Sequence, residues 1–78
     1  MDHMSTLSVL TTGMAHEIRN PLSGIRGAAQ LLLKDLENSE QREYIEIVIS
    51  EVDRINRLVK RIFFILIFLL FRLKLSYH

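Results

Sequence analysis

Apolar residues recur at helical spacing over the first half of the chain. At about 100° per residue, eight of them fall within about 60° of one direction, and this first stripe consists of Leu7, Leu10, Met14, Ile18, Ile25, Ala29, Leu32 and Leu36. The pattern predicts one long amphipathic helix with Ser5 or Thr6 as its N-cap. Pro21 lies inside this helix, and we expect a kink near residues 18–20 because proline lacks an N–H and clashes with the preceding turn.

A second apolar series begins after the polar segment 37–39. Asn38 together with Gln41, or Ser39 alone, can cap a helix that starts there. The charged residues Glu46, Asp53, Arg57 and Lys60 lie opposite its apolar stripe. This second stripe consists of Tyr44, Ile47, Val48, Val52, Ile55, Leu58, Val59 and Ile62. Because the connection is short, we expect the two helices to run antiparallel as a hairpin.

A single two-helix hairpin leaves half of each apolar stripe uncovered. A domain of this length seldom gains more than about 3–5 kcal/mol from its own core. We therefore predict an all-α fold in which an antiparallel two-helix hairpin dimerises, about a two-fold axis, into a four-helix bundle. The pattern alone fits a pair of helices from a larger helical domain equally well.

The end of the chain departs from the amphipathic pattern. Residues 62–71 are ten consecutive apolar residues, with Lys60 and Arg61 before them and Arg72 and Lys74 after them. Ten residues cannot span a bilayer, which needs about 20 in a helix. We favour a helix continuation buried between chains, or a non-native tail, over contact with a membrane. We thus divide the chain into a cloning remnant with a second methionine (1–4), a domain (5–61) and an apolar tail (62–78).

Composition and charge exclude several classes of protein. The 78 residues are too few for a complete nucleotide-binding fold beside another domain. The absence of cysteine excludes a disulfide scaffold, a thiolate zinc site and a thiol nucleophile. Residues 1–53 carry nine acids and four bases, whereas residues 54–78 carry six bases and no acid. These bases are few and do not alternate with aromatic residues, so we expect no nucleic-acid binding.

One histidine has neighbours that suggest chemistry. His16 lies opposite the first stripe, where a lone histidine is most often a solvated surface residue. However, Glu17 follows it directly, and Arg19 and Asn20 flank it at i+3 and i+4. A neutral imidazole is a nucleophile near neutral pH, and an adjacent carboxylate can orient it and take up a proton. A zinc site would need a second histidine at i+4, where Asn20 stands, so we expect no metal.

The residues from His16 to Leu22 read H-E-I-R-N-P-L. This run resembles the H-box of bacterial sensor histidine kinases, the phosphoacceptor signature H-E-aliphatic-basic-Asn/Thr-P-L. The longer run 13–33 is most similar to the nitrogen-regulation sensor kinases, and three later pieces agree with it: Arg42-Glu43-Tyr44, Asp53-Arg54 and Leu58-Val59. The resemblance covers residues 5–61, and the run after Arg61 does not resemble the family.

In that family the segment is a homodimeric dimerisation and histidine-phosphotransfer domain. The resemblance implies that His16 accepts the γ-phosphoryl group of ATP and that Glu17 assists as general base. It places Arg19 near the phosphoryl group. Asn20 matches a position that also helps to orient water when the response regulator is dephosphorylated. Pro21 matches the proline at which the helix bends.

The same resemblance implies partners for the chain. A response-regulator receiver domain would dock on the surface below His16, where the candidates are Ser23, Arg26, Gly27 and Gln30; an ordinary solvated face explains these four residues equally well. No ATP-binding segment follows, so ATP and Mg would bind to a separate catalytic domain of the kinase, and this chain should not autophosphorylate alone. We expect a cytoplasmic location. The alternative functions are a helical oligomerisation module without a catalytic role and a membrane-surface peptide.

Overall fold

The computed structural model of the chain describes residues 3–77, apart from the side chains of residues 3–5 and 8. It contains helix α1 (His3–Asp35) and helix α2 (Ser39–Ser76), joined by residues 36–38. The described residues form no strand, which confirms the predicted all-α hairpin. The first two residues of the expected cloning remnant and the last residue of the tail lie outside the described residues.

The start of α1 differs from the prediction. The helix already includes Ser5 and Thr6, so neither residue is its N-cap. No glycine or proline interrupts the chain before them, and hydroxyl side chains fit inside a helix when they bond to the preceding turn. Thr11 does so, since its Oγ1 donates a hydrogen bond to the Leu7 carbonyl oxygen at 2.7 Å. The helix also continues without interruption through Pro21, and the bend expected there stays a prediction.

The connection between the helices is held at both of its ends. Asn38 is the N-cap of α2, and its Oδ1 accepts a hydrogen bond from the Gln41 amide at 3.0 Å, as predicted. Arg42 reaches back to the end of α1, where its Nη1 donates to the carbonyl oxygens of Leu33 at 2.6 Å and Leu36 at 2.9 Å. The last carbonyl groups of a helix have no partner within the helix. Arg42 donates hydrogen bonds to two carbonyl oxygens there and thereby connects the first turn of α2 to the last turn of α1.

The two helices meet along a line that differs from the first stripe. The α1–α2 seam is rotated by about 70° around α1 from that stripe. Its residues are buried or half-buried and recur every three or four positions, as in antiparallel coiled coils, except for one step of seven between Ala15 and Leu22. They are Thr11, Ala15, Leu22, Arg26, Ala29 and Leu33 on α1, and Ile45, Ile49, Val52, Asn56, Val59 and Phe63 on α2. Only Ala29, Val52 and Val59 are buried among the described residues, and each keeps 5–9% of its surface exposed.

Most of the two apolar stripes therefore stays exposed in the single chain. Leu10 is 58% exposed and Ile25 is 50% exposed on α1, while Ile47 is 53% exposed on α2. By helical angle both stripes lie on one side of the hairpin, which we call the apolar face. The molecule measures 61 Å along its longest axis and has a radius of gyration of 18.0 Å, compared with about 12 Å for a compact chain of this length.

The apolar segment 62–71 is part of α2. The helix continues through it and ends at Ser76, where the Tyr77 amide bonds to the Leu73 carbonyl oxygen at 3.2 Å. The segment is thus helical, and its burial between chains, or a non-native origin of the tail, stays a prediction. Neither of the two described helices contains a stretch that is long and apolar enough to cross a bilayer.

A salt bridge connects the middle of the two helices. Arg26 Nε lies 2.7 Å from Asp53 Oδ1, and Arg26 Nη2 lies 3.3 Å from Oδ2, so the pair is bidentate. Each side chain is 37% exposed. The hydrogen bonds from Arg26 lower the pKa of Asp53; burial opposes this change, and the charges of Arg26 and Arg57 add to it. A shift of one helix along the other by a turn would break both bonds.

Asn56 lies one turn further along α2, in the seam. Its Oδ1 is buried and has no hydrogen-bond partner within the described part of the chain. A buried carbonyl oxygen without a partner costs about 1–3 kcal/mol. Asn56 is therefore the weakest point that we find in the packing of the hairpin.

We predict that Asp53→Asn lowers the melting temperature at pH 7 and that the difference from the parent chain disappears in acid. Because the pKa of Asp53 is lowered in the folded chain, the salt bridge stabilises above the ordinary aspartate pKa of about 4 and is lost as the pH falls through the lower folded value. Thermal unfolding followed by circular dichroism between pH 7 and pH 2 measures this.

The control is Glu51→Gln, because Glu51 lies 3.9 Å from Arg54 in an exposed pair on the same helix. Exposed pairs of this kind contribute little. A difference between the parent and Asp53→Asn that stays constant over the whole pH range would contradict the assignment.

We also predict that Asn56→Leu raises the free energy of unfolding by about 1 kcal/mol, since it removes the unpaired carbonyl and adds apolar contact in the seam. Urea unfolding at a fixed chain concentration measures this. Gln30→Leu, at an exposed position of α1, should change the stability by much less. An unchanged or lower stability of Asn56→Leu would show that Oδ1 is satisfied in solution.

Candidate functional site

His16 is exposed on α1 and lies at the edge of the α1–α2 seam, on the side opposite the apolar face. It borders a shallow groove of about 220 Å³ between the two helices. The groove is lined by Thr12, Ala15, His16 and Arg19 from α1 and by Lys60, Phe63, Phe64 and Ile67 from α2. On each helix these positions are three or four residues apart or adjacent, so they share one face.

The groove combines a nucleophile, two cations and apolar walls. Arg19 and Lys60 bring positive charge to it, and no carboxylate lines it. Neither cation forms an ion pair with any residue of the described range. Phe63, Phe64 and Ile67 line the remainder with apolar surface. An anionic group attached to the imidazole of His16 would thus meet positive charge at the edge of an apolar surface.

The sequence analysis did not identify Lys60 or the two phenylalanines as site residues. The H-box alone lies on α1, and nothing within it indicates which part of α2 packs beside it. The short connection gives only a coarse signal, since pairing the end of α1 with the start of α2 would place Arg19 opposite a position near 55, more than one turn from Lys60. The uneven charge distribution, with six bases after position 53, points to the same end of the hairpin.

The other predicted H-box residues surround His16 without lining the groove. Glu17, Asn20 and Pro21 are exposed on α1. Glu17 is rotated by about 100° from His16, as the next residue of a helix must be, and Asn20 by about 40°. Both side chains are open to an approaching partner, and the described residues contain no hydrogen bond between either of them and His16.

The four predicted docking residues divide into two groups. Ser23, Gly27 and Gln30 lie within about 40° of the direction of His16 and continue its face along α1. A Cβ atom added at Gly27 would have no neighbour within 4 Å, so the surface is open there. Arg26 is rotated towards the seam, where Asp53 holds its guanidinium. The structure therefore gives Arg26 a role within the hairpin.

The described residues contain no group of three or more histidine, cysteine, aspartate or glutamate side chains that could hold a metal ion. A second opening, of about 320 Å³, lies near the connection and is lined by Leu32, Leu36, Gln41, Tyr44 and Ile45. It contains no charged group and lies at the other end of the hairpin from His16.

Comparison with known proteins agrees with the H-box resemblance. The family model of the His Kinase A (phospho-acceptor) domain matches residues 6–65. The sensory histidine kinase/phosphatase NtrB of Proteus hauseri is 51% identical over 53 residues, which cover 68% of this chain and 15% of the relative. NtrB of Vibrio alginolyticus is 52% identical over 54 residues, covering 69% of this chain and 15% of the relative.

A more distant relative is the signal transduction histidine-protein kinase AtoS of Escherichia coli strain K12. It is 38% identical over 61 residues, which cover 78% of this chain and 10% of the relative. No solved structure gives a significant match. The matched region is thus a small part of each of these relatives. Because the family model covers well over half of the sequence, the chain belongs to the His Kinase A phospho-acceptor domain family of sensor histidine kinases.

Proposed function

We propose that His16 accepts the γ-phosphoryl group of ATP from the catalytic domain of a sensor histidine kinase and passes it to an aspartate of a response-regulator receiver domain. The observation that carries the proposal is the position of His16. It is the exposed histidine of a complete H-box, inside the matched region, and it borders a groove that contains two cations. NtrB of Proteus hauseri carries the name histidine kinase/phosphatase, which fits transfer in this direction and dephosphorylation of the receiver.

In phosphoryl transfer the protein mainly positions the reacting groups, because the reaction requires little covalent chemistry from the protein itself. A neutral ring nitrogen of His16 attacks the γ-phosphorus, a nitrogen–phosphorus bond forms, and the bond to the oxygen of ADP breaks. Glu17, exposed beside His16, is placed to take up the proton that the imidazole releases. Arg19 brings positive charge towards the phosphoryl oxygens. ATP and Mg would be bound by the catalytic domain, so His16 must stay accessible to it.

Transfer to the receiver uses the same exposed side of α1. The aspartate oxygen attacks phosphorus, and the bond between phosphorus and the imidazole nitrogen breaks. The ring nitrogen takes up a proton, and the histidine is regenerated. Ser23, Gly27 and Gln30 extend from His16 along this side and form the proposed docking surface. Asn20 lies between His16 and that surface, where its amide can orient a water molecule for dephosphorylation.

The chain acts, in this proposal, as a homodimer. Its apolar face consists of residues such as Met14 and Ile25 on α1 and Ile55 and Leu58 on α2, all of them exposed in the single chain. Two hairpins that bring these faces together about a two-fold axis form a four-helix bundle. His16 lies on the other side of the hairpin and stays on the surface of the bundle. The apolar face and the reactive histidine therefore do not compete for one surface.

The alternative function is a helical oligomerisation module without a catalytic role. The large exposed apolar face would suit such a module. It gives no reason, however, for a nucleophilic imidazole beside two cations that form no ion pair within the described residues. The two functions differ in whether a substitution at His16 has any effect.

We predict that incubation of the chain with the separate catalytic domain of an NtrB-type kinase and γ-labelled ATP places an acid-labile phosphoryl group on His16. His16→Gln should remove at least about 99% of the label, since His16 carries the one imidazole among the side chains that the structure describes. The matched control is His3→Gln, which should be labelled like the parent. Equal labelling of His16→Gln and parent would refute the phosphoacceptor role.

We predict that the chain sediments as a dimer, at twice its mass of 9.1 kDa, and that Ile25→Asp or Leu58→Asp shifts it to the monomer. Each change places a charge in the apolar face that the second copy covers. The control is Leu31→Asp, because Leu31 is 63% exposed but lies about 120° away from the apolar face around α1. Dimers that persist in Ile25→Asp and Leu58→Asp would place the interface elsewhere.

A further inference from the structure

We infer that Lys60 is a phosphoryl-binding residue, which pairs from α2 with the phosphoryl group carried by His16. The inference rests on the proposed function and adds to the site a residue that the H-box does not contain. It follows from the register of the hairpin, from the charges around the groove and from the apolar surface beside them.

The register places Lys60 across from the H-box. The Arg26–Asp53 salt bridge fixes which parts of the antiparallel helices face one another. Two turns back along α1 from Arg26 is Arg19, and two turns forward along α2 from Asp53 is Lys60. Arg19 and Lys60 accordingly line the groove from opposite helices, with His16 one turn further along α1.

The charges in the groove are not balanced by the protein itself. Elsewhere on α2, Arg54 is paired with Glu51 on the exposed side, and Arg57 contributes to the field at Asp53. Lys60 forms no ion pair within the described residues, and no carboxylate lines its groove. A phosphoryl group carries a charge of about −1.5 to −2 at pH 7. Once attached to His16, it is the first anion that Lys60 meets.

The apolar walls strengthen this pairing. Phe63, Phe64 and Ile67 follow Lys60 along the same face of α2 and limit the access of water to one side of the groove. Charges beside apolar surface attract one another more strongly than charges in bulk water. A lysine here also reaches further than a shorter side chain would, because its ammonium is carried on a flexible four-carbon stem.

This pairing should slow the loss of the phosphoryl group to water. In hydrolysis the oxygen of water bonds to phosphorus and the nitrogen–phosphorus bond breaks; the ring nitrogen recovers its electron pair and takes up one proton of the water, and the other proton leaves with inorganic phosphate. The transition state of phosphoryl transfer is loose, and its charge is more dispersed than that of the dianion. A nearby ammonium therefore stabilises the phosphorylated state more than the transition state. It also lowers the second pKa of the phosphoryl group, since it favours the dianion.

The test uses the full chain carrying His3→Gln and His78→Gln, so that His16 is its single imidazole. Phosphoramidate transfers a phosphoryl group to the imidazole nitrogen and releases ammonia, so no catalytic domain is needed. Phosphorus NMR then follows the pH titration of the phosphoryl group and its half-life at pH 7. Lys60→Gln, Lys60→Arg and Arg61→Gln are compared in this background; Arg61 is an adjacent cation that does not line the groove.

In Lys60→Gln we expect the second pKa of the phosphoryl group to rise by about half a pH unit and its half-life to fall about threefold, as for a partly exposed ion pair. In Lys60→Arg the second pKa and the half-life should lie close to the values of the parent, and in Arg61→Gln both should equal those of the parent. Circular dichroism verifies that each variant remains helical.

Identical titrations and half-lives of Lys60→Gln and the parent would overturn the role of Lys60 and leave the proposed function standing. If Arg61→Gln changed the second pKa and the half-life as much as Lys60→Gln does, the specific role of Lys60 would be overturned in favour of a general effect of positive charge. The proposed function fails separately, if the kinase catalytic domain does not label His16.

Discussion

The arrangement of this domain depends on the register between two long antiparallel helices. Their seam is narrow, with three buried residues and none fully buried in the described range, so apolar packing alone would permit them to shift by a turn at little cost. The bidentate contact between Arg26 and Asp53 distinguishes the observed register from its neighbours, because a displaced helix would lose both hydrogen bonds. At the connection Arg42 bonds to the last turn of α1. With the middle of the hairpin and its connected end constrained, the residues that face His16 from α2 are determined.

The register also separates two surfaces that have opposite requirements. The apolar face needs to be covered, whereas the side that carries His16 needs to stay open to a catalytic domain and then to a receiver. By helical angle the seam lies between the two, rotated by about 70° from the first stripe and by about 110° from His16 on α1. A rotation of α1 around its own axis would turn His16 towards the seam or away from the groove. The seam residues therefore decide how accessible the histidine is, although none of them takes part in the chemistry.

Some of these features can be read from the sequence and others cannot. The apolar periodicity gives both helices, and Asn38 with Gln41 gives the start of α2, because these are local properties of a few neighbouring residues. The H-box identifies His16 as the candidate phosphoacceptor for the same reason, since the motif consists of neighbouring residues. The contribution of Lys60 to the groove and the salt bridge of Arg26 depend on which residues lie opposite one another across the seam. The first stripe did not reveal this, because its strongest apolar residues form the exposed face and smaller ones, such as Ala15 and Ala29, form the seam.

The apolar run 62–71 becomes easier to understand once the seam is known. A helix that is apolar on all sides has no solvent face of its own, yet its residues here meet three different surroundings. Phe63, Ile67 and Leu70 are half-buried along the seam, whereas Phe64 lines the groove beside His16. Ile62, Ile65 and Leu69 extend the exposed apolar face and so lengthen the surface that a second copy would cover. Seven of the ten residues thus serve the hairpin, the groove or the proposed dimer, whereas Leu66, Phe68 and Phe71 are exposed in the single chain; for most of the run the loss of a polar face is accounted for without requiring a membrane.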